Sequence, residues 1–345
     1  MLAAYLARTG DDPLANLEVG DQPEPDARPG WAVVQVAAAS LNHHDLFTLR
    51  GISSRPIQPP QILGCDAAGT VVSYTGEPPP GAPALGSRVV VDGLITCGRC
   101  AGCRSGEETL CRTMTMISEG DYPGSFAERV GAPAGNLIAL PDSVDDVTAA
   151  CLPTAYLTAY RMLFTKAGLR PGMTVLVQGA SGGVATAAIL LGKAAGLTVF
   201  ATSRDEGKRA LAEQIGAART FAPDRAAAKA ILTATDGGVD AVIETVGEPT
   251  WDLSLRSVRP GGTVVVSGTT GGPNPPAQLN RVFWRQTAIL GSTMGTLAEL
   301  RRLVDLCACG ALEPLVDRTF PLSEAPEAFA LLQAGRQRGK LVLCP

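Results

Sequence analysis

The sequence predicts an α/β protein of two domains, a mostly antiparallel β domain made from residues 1–152 and 297–345 and a doubly wound parallel sheet over residues 153–296. Three observations carry that expectation. Short β-branched runs broken by Gly and Pro fill the first part of the chain. From Thr154 onward, strand-like and helix-like segments alternate, as they do where parallel strands are joined by crossover helices. The 345 residues are 46% apolar and 18% charged, which is enough to bury two cores.

In the first domain, Trp31–Val36, Gly69–Tyr74, Arg88–Asp92 and Ala127–Val130 read as strands, because β-branched residues alternate there between turn signals. The stretch Glu77-Pro-Pro-Pro-Gly-Ala-Pro reads as a surface loop, since consecutive prolines cannot donate to a ladder. In the second domain the expected strands are Thr174–Gln178, Thr198–Thr202, Ala241–Glu244, Thr263–Val266 and Thr287–Leu290. Helices over Gly183–Ala195, Asp205–Ile215 and Thr250–Val258 separate them. A helix over Leu297–Cys309 and the closing Gly339-Lys-Leu-Val-Leu-Cys-Pro return the chain to the first domain.

A net charge of −4 with no basic stripe argues against nucleic acid as a partner. The longest apolar run, Val184 to Leu191, is far too short to span a bilayer, so no membrane partner is expected. Nine cysteines, an odd number, suit a reducing compartment better than a disulfide framework, and a cytoplasmic location is expected.

Cys97, Cys100, Cys103 and Cys111 form C-x2-C-x2-C-x7-C in a glycine-spaced loop. Four thiolates on pliable backbone are what a closed tetrahedral zinc site needs, and one structural zinc per chain is expected. An iron–sulfur cluster of the bacterial ferredoxin type would ask for a shorter last spacing followed by proline, whereas Arg112 follows Cys111 here.

The strand Thr174–Gln178 runs into Gly179-Ala-Ser-Gly-Gly-Val-Ala and then a helix. That context places the backbone of Ser181, Gly182, Gly183 and Val184 at a helix N-terminus, where a pyrophosphate binds, with Ala185 at the close-packing position. A tight strand-to-helix turn without a ligand is the plainer alternative. The second strand ends at Ser203-Arg204, with Lys208 one helical turn on. A hydroxyl and two cations suit the 2′-phosphate of NADP(H), whereas an NAD site usually presents an acid to the ribose. Asp205 and Glu206 lie where a helix's first turn attracts carboxylates.

With these motifs, and with Leu41-Asn-His-His-Asp-Leu, Leu63-Gly-Cys-Asp-Ala-Ala-Gly-Thr-Val, Leu157-Thr-Ala-Tyr, Glu244-Thr-Val-Gly and Gly339-Lys, the chain resembles the medium-chain dehydrogenase/reductase superfamily along essentially its whole length. The resemblance implies a GroES-like catalytic domain, a Rossmann domain, a homodimer or tetramer, with a homodimer expected, and hydride transfer to or from nicotinamide. It places Thr158 beside the nicotinamide and Val246 beside the adenine. Ser267, Gly268, Thr269, Ser292 and Thr293 would face the carboxamide, and the tract Trp284–Met294 would end in a strand that pairs across a dimer.

Zinc alcohol dehydrogenases of that superfamily carry a second, catalytic zinc on a Cys, a His and a Cys. The corresponding positions here are Asn42, Cys65 and Thr154, with Asp66 as the nearby acid, and neither Asn nor Thr ligates zinc well. An irregular site from His43, Cys65 and Cys151 is an alternative. The chain is thus similar to the quinone-reductase and enoyl-reductase branches, which lack that metal.

Without a Lewis acid, reducing a conjugated C=C is easier than oxidising an alcohol, because the charge spreads into an enolate that hydrogen-bond donors stabilise. His44, at the position of the proton-relay hydroxyl, is the expected donor, with solvent water as the alternative. Asn42 would touch the nicotinamide ribose or the small-molecule substrate. The expected activity is therefore NADPH-dependent reduction of an α,β-unsaturated carbonyl or a quinone. A carbonyl or alcohol dehydrogenase and a non-catalytic NADPH-binding sensor are the competing readings.

Overall fold

A computed structural model describes residues 1–345 apart from Asp11, Ala27 and Ser54, and the chain divides into two compact units. The first unit is Met1–Leu157 with Met294–Pro345, and the second is Thr158–Thr293. No helix among the described residues is long and apolar enough to cross a membrane.

The first unit is built on a seven-stranded sheet. Its pivot is the long strand Trp31–Ser40, in which Ala32, Val34 and Val36 are buried while the residues between them are only partly covered. That two-residue period fixes which face meets the core. One edge of this strand pairs antiparallel with Ala67–Tyr74. Its other edge pairs first with Arg129–Pro133 and then, at Ala39 and Ser40, with Lys340–Cys344 near the chain's end. Val316–Pro321 lies parallel to that last strand. Phe126 and Phe329 meet edge to face in the core, ring centroids 5.9 Å apart.

One sequence expectation shifts here, and three strands are new. The run Ala127–Val130 becomes a strand only at Arg129–Pro133, because Ala127 bridges singly to Ala3 and Glu128 N–H donates to Leu2 O instead. Leu2–Leu6 and Leu17–Asp21 pair as an unanticipated hairpin-like sheet, and Val316–Pro321 is likewise unanticipated. The last of these exposes most of its side chains, so it carries little of the apolar alternation that marks a strand in sequence.

The second unit is a six-stranded parallel sheet: β1 (Thr174–Gln178), β2 (Thr198–Thr202), β3 (Arg219–Phe221), β4 (Val239–Glu244), β5 (Val258–Val266) and β6 (Ala288–Gly291). Their spatial order is β3-β2-β1-β4-β5-β6. The order reverses between β1 and β4, so the carboxyl ends of those two strands flank the crevice where doubly wound sheets bind ligands. The crossover helices are α1 (Gly183–Ala194), α2 (Glu206–Ile215), α3 (Ala227–Ala234) and α4 (Glu248–Ser257), with α5 (Leu279–Arg285) before β6. The sequence gives the bounds of β1 and β2 correctly, because both are apolar runs closed by turn residues. It misses α3 and also β3, which is only three residues long.

Candidate active site and metal centre

The cysteine loop is gathered as its spacing suggests. The sulfurs of Cys97, Cys100, Cys103 and Cys111 all lie within 4.8 Å of one another, with Cys97 to Cys103 at 3.9 Å and Cys100 to Cys103 at 3.5 Å. Four sulfurs about 2.3 Å from a central ion in a tetrahedron stand about 3.8 Å apart, so the quartet fits zinc with little movement. Backbone N–H groups of Cys97 and Cys100 point at the sulfurs of Cys111 and Cys97. The Thr113 hydroxyl beside Cys111 is the main reason its thiol is drawn down to about 6. Among the described residues this is the cluster of metal-type donors, and all four ligand positions are filled by protein, leaving none open for substrate.

In the second unit, β1 delivers the chain to Gly179, whose φ of +101° is one that side chains rarely adopt. Helix α1 then starts at Gly183, with Gly182 in the N-cap position, no side-chain cap and no acid in its first turn. A Cβ on Gly182 would meet nothing within 4 Å, so the backbone there is open to close approach. Uncapped donors, a helix dipole and an open approach are the requirements of a pyrophosphate site, and Ser181, Gly182, Gly183 and Val184 supply them. The neighbouring carboxyl ends carry the other predicted residues. Ser203 and Arg204 follow β2, Val246 follows β4, Ser267, Gly268 and Thr269 follow β5, and Ser292 and Thr293 follow β6. Ser267 N–H donates to Glu244 O and Ser292 N–H to Val266 O, so these loops rise together from adjacent strands. Thr158 is buried near the start of the unit.

Asp205 caps α2 by accepting from Lys208 N–H at 2.8 Å, which commits its carboxylate to the helix. Arg204 is exposed. Arg209, which the sequence reading overlooked, donates to the carbonyls of Ser203 and Arg204 at 2.8 and 3.3 Å and brings a further cation to this turn.

In the first unit, the positions that resemble a catalytic zinc site do come together, but around Asp66. Asp66 Oδ1 accepts from Thr154 Oγ1 at 2.6 Å, and Oδ2 accepts from Ser40 Oγ at 2.7 Å and Asn42 Nδ2 at 2.8 Å. Lys340 Nζ, 2% exposed, lies 3.6 Å from Asp66 Oδ2 and donates to Asn42 Oδ1 at 2.6 Å and Leu41 O at 2.7 Å. An ammonium can only donate, so it fixes the Asn42 amide with its oxygen toward Lys340 and its NH2 toward Asp66 and Cys65.

Cys65 is fully buried, and burial together with Asp66 and Asp45 pushes its thiol well above the ordinary range, so thiolate formation is disfavoured. Its neighbour Gly64 has φ +93°, and a Cβ there would fall 2.4 Å from the Phe126 ring, which explains why glycine precedes the Cys65–Asp66 pair. With the Asn42 oxygen, the Thr154 proton and the Asp66 oxygens all engaged within the protein, these residues do not fit a zinc ion. Both ends of the Asn42 amide are bonded inside the cluster, so it braces Asp66 and Lys340. Cys151 does not join this cluster as a donor either, since its thiol donates to Val147 O and burial pushes it up to about 12.

His44 lies in the first turn of the helix His43–Leu49. The helix is started by Asp45, whose Oδ2 accepts from Asn42 N–H at 2.7 Å and whose carboxyl burial pushes up to about 7. The His44 ring is 21% exposed, with Nε2 3.5 Å from Ser118 Oγ and 3.9 Å from Glu119 Oε1. Glu119 is held in turn by Thr115 Oγ1 and Met116 N–H at its other oxygen, 3.1 and 3.3 Å away. Burial lowers the His44 pKa, while Glu119 and Asp66 oppose the shift. Glu119 carried no signal in the sequence, as a single acid in a loop outside every motif.

Residues 28–142 match the alcohol dehydrogenase GroES-like domain family, and residues 183–308 match the zinc-binding dehydrogenase family. Acryloyl-coenzyme A reductase from Metallosphaera sedula is 31% identical over 336 residues, covering 94% of this chain and 96% of the relative. The chain belongs to the medium-chain dehydrogenase/reductase superfamily. Its antiparallel unit is GroES-like, and its parallel sheet is a Rossmann fold. An alcohol dehydrogenase from Geobacillus stearothermophilus is 31% identical over 335 residues, 95% of each chain. The crystal structure of an NAD-dependent alcohol dehydrogenase superposes with a TM-score of 0.92 at 33% identity over the whole of both chains. That of AibC gives 0.91 at 33% identity, covering all of this chain and 96% of the other. Membership makes the protein an oxidoreductase, and the family implies a nicotinamide cofactor and zinc.

Proposed function

We propose that this oxidoreductase uses NADPH to reduce an activated double bond in a small molecule, an α,β-unsaturated carbonyl compound or a quinone, with one structural zinc and no catalytic one. The observation that carries the reading is the closed set of bonds around Asp66, in which Asn42, Thr154 and Lys340 occupy the groups a second metal would need. The relative named acryloyl-coenzyme A reductase supports the substrate class, since its name describes an enoyl thioester.

Ser181, Gly182, Gly183 and Val184 would hold the NADPH pyrophosphate, and the cofactor would supply a hydride to the acceptor's β carbon, the electron pair of the double bond passing into a substrate enolate. His44 Nε2 then gives its proton to the α carbon, and Glu119 steadies the charged form of the ring beforehand. Ser203, Arg204, Lys208 and Arg209 form the polar, cationic turn that receives the 2′-phosphate.

The test pairs NADPH oxidation against an enone, an acryloyl thioester and a quinone with alcohol oxidation by NADP⁺, and measures metal per chain. The expected result is acceptor-dependent NADPH oxidation with about one zinc per chain. Alcohol oxidation as the main activity, with about two metals per chain, would overturn the proposal.

Replacing Arg204 with Ala should weaken NADPH binding by roughly thirtyfold and NADH binding hardly at all, because only the 2′-phosphate loses charge-assisted bonds. Titration of both cofactors onto the folded variant reads this directly, and equal losses for the two would exclude a 2′-phosphate contact.

We also propose a homodimer. Strand β6 is an edge strand exposing Ile289 and Leu290, and α5 before it exposes Leu279, Phe283 and Trp284. An unpaired edge beside so much apolar surface invites a second copy. Light scattering should give twice the chain mass, and Trp284→Glu should shift it toward the monomer.

A further inference from the structure

Four buried polar side chains in the Rossmann unit form one unbroken hydrogen-bond relay beneath the carboxyl ends of β1, β2 and β4. Gly179 N–H donates to Thr202 Oγ1 at 3.3 Å, and that hydroxyl donates to Gln178 Oε1 at 2.6 Å. Gln178 Nε2 donates to Ser254 Oγ at 2.9 Å, and Ser254 donates to Glu244 Oε2 at 2.6 Å. The other oxygen of Glu244 accepts from Val246 N–H at 2.8 Å and Gly247 N–H at 3.0 Å, and Thr250 Oγ1 bonds to both oxygens. Thr202, Gln178, Ser254 and Glu244 are each at most 1% exposed.

The direction of every bond follows from the chemistry. A carboxylate accepts only, so the Ser254 proton must point to Glu244, leaving the Ser254 oxygen to accept from the Gln178 NH2. That turns the Gln178 oxygen toward Thr202, whose own oxygen then receives Gly179 N–H. No member can reverse without leaving a buried group unpaired. The relay begins at the glycine loop, passes the last residue before Ser203-Arg204, and ends on the backbone of the Val246-Gly247 turn. It joins the three loops that hold a dinucleotide's pyrophosphate, ribose phosphate and adenine, and it reaches them from behind.

We propose that this relay fixes the three cofactor loops relative to one another, making Thr202, Gln178 and Ser254 positioning residues for dinucleotide binding. The proposal rests on the reading that these loops hold a nicotinamide dinucleotide. A contact broken at one end, at Thr202, is felt at the other, at Val246, through Gln178. Breaking it loosens cofactor binding while leaving the reacting groups of the first unit in place.

The experiment measures NADPH and NADH dissociation constants by calorimetry on apo Thr202→Val, Ser254→Ala and the double variant. Amide hydrogen exchange at Gly179 and Val246 is measured alongside. Each single substitution is expected to weaken the preferred cofactor by about five- to tenfold, as loss of one or two buried hydrogen bonds does. The double variant should lose no more than about the larger single loss, since both act through Gln178. Ser254→Ala should speed exchange at Gly179 as well as at Val246, and Thr202→Ser, which keeps the hydroxyl, should restore binding. A purely structural role would lower melting temperature without these effects. Unchanged affinity in the folded variants, or multiplying losses in the double variant, would overturn the relay while leaving the cofactor reading intact. Should Ser254→Ala fail to fold, the near-isosteric Thr202→Val with its Ser rescue decides the matter on the same readouts. Wild-type protein that binds neither dinucleotide would overturn the cofactor reading and the relay with it.

Discussion

Replacing His44 with Ala is expected to lower turnover by about 10²- to 10⁴-fold, the loss typical when a general acid is removed, with NADPH affinity little changed. The ring has the surroundings of a donor that must be charged to act. It is partly exposed, and Glu119 stands 3.9 Å away to favour the imidazolium. Burial nonetheless outweighs the carboxylate, so the pKa lies below its ordinary value of 6.5.

The sign of the pH dependence follows. A donor that works in its protonated form loses rate as pH rises through its pKa, so the decline should begin on the acid side of 6.5. It should vanish in His44→Ala. Glu119→Gln removes the opposing charge and should move the decline to still lower pH. Solvent as the proton source predicts a small loss and an unaltered profile in the alanine variant, and that outcome would take His44 out of the mechanism. Steady-state rates between pH 5 and 9 separate the two.

The second large effect concerns folding. Cys103→Ser should remove the structural zinc and lower the melting temperature steeply, because the binding free energy of a closed four-thiolate site is folding free energy, on the order of 10 kcal/mol or more in small zinc domains. The sulfur of Cys103 lies 3.9 and 3.5 Å from those of Cys97 and Cys100, so its loss opens the quartet on two sides. The loop Cys97–Cys111 has little else to hold it, since its only regular elements are one short helix, Ala101–Arg104, and one turn of 3-10 helix. Chelator treatment of wild type should reproduce the loss. Protein that stays folded should keep its chemistry, because none of the four cysteines has an open position for substrate. Abolished turnover with normal zinc and melting temperature would contradict a structural role.

What the sequence made legible was local. The cysteine quartet lies within fifteen residues, and the glycine loop lies between a strand and a helix, so spacing alone carries both. The strand bounds of β1 and β2 were legible for the same reason. Asn42, Cys65, Thr154 and Asp66 could be placed as a group only through resemblance, and resemblance gave positions without contacts. Which end of the Asn42 amide faces Lys340 depends on a partner 298 residues away. The relay from Gly179 to Glu244 was illegible because Gln, Thr and Ser at strand ends and on a helix form no periodic signal, and only the parallel register of β1, β2 and β4 brings them together. Glu119 was missed likewise, since its importance lies in the distance to a ring 75 positions earlier.

The strand Lys340–Cys344 has a further consequence, for how the protein is made. It fills a place inside the first unit's sheet between Trp31–Ser40 and Val316–Pro321, and it brings Lys340 to Asp66. A ribosome delivers the chain from its amino end, so residues 1–157 emerge without the two strands that complete one side of their sheet and without the ammonium that faces the Asp66 carboxylate. The Rossmann unit, by contrast, is one continuous stretch, residues 158–293, and can fold as soon as that stretch is released. The later unit in sequence is thus the earlier one to mature. The antiparallel unit must wait, its edge open to other chains, until its last strand arrives.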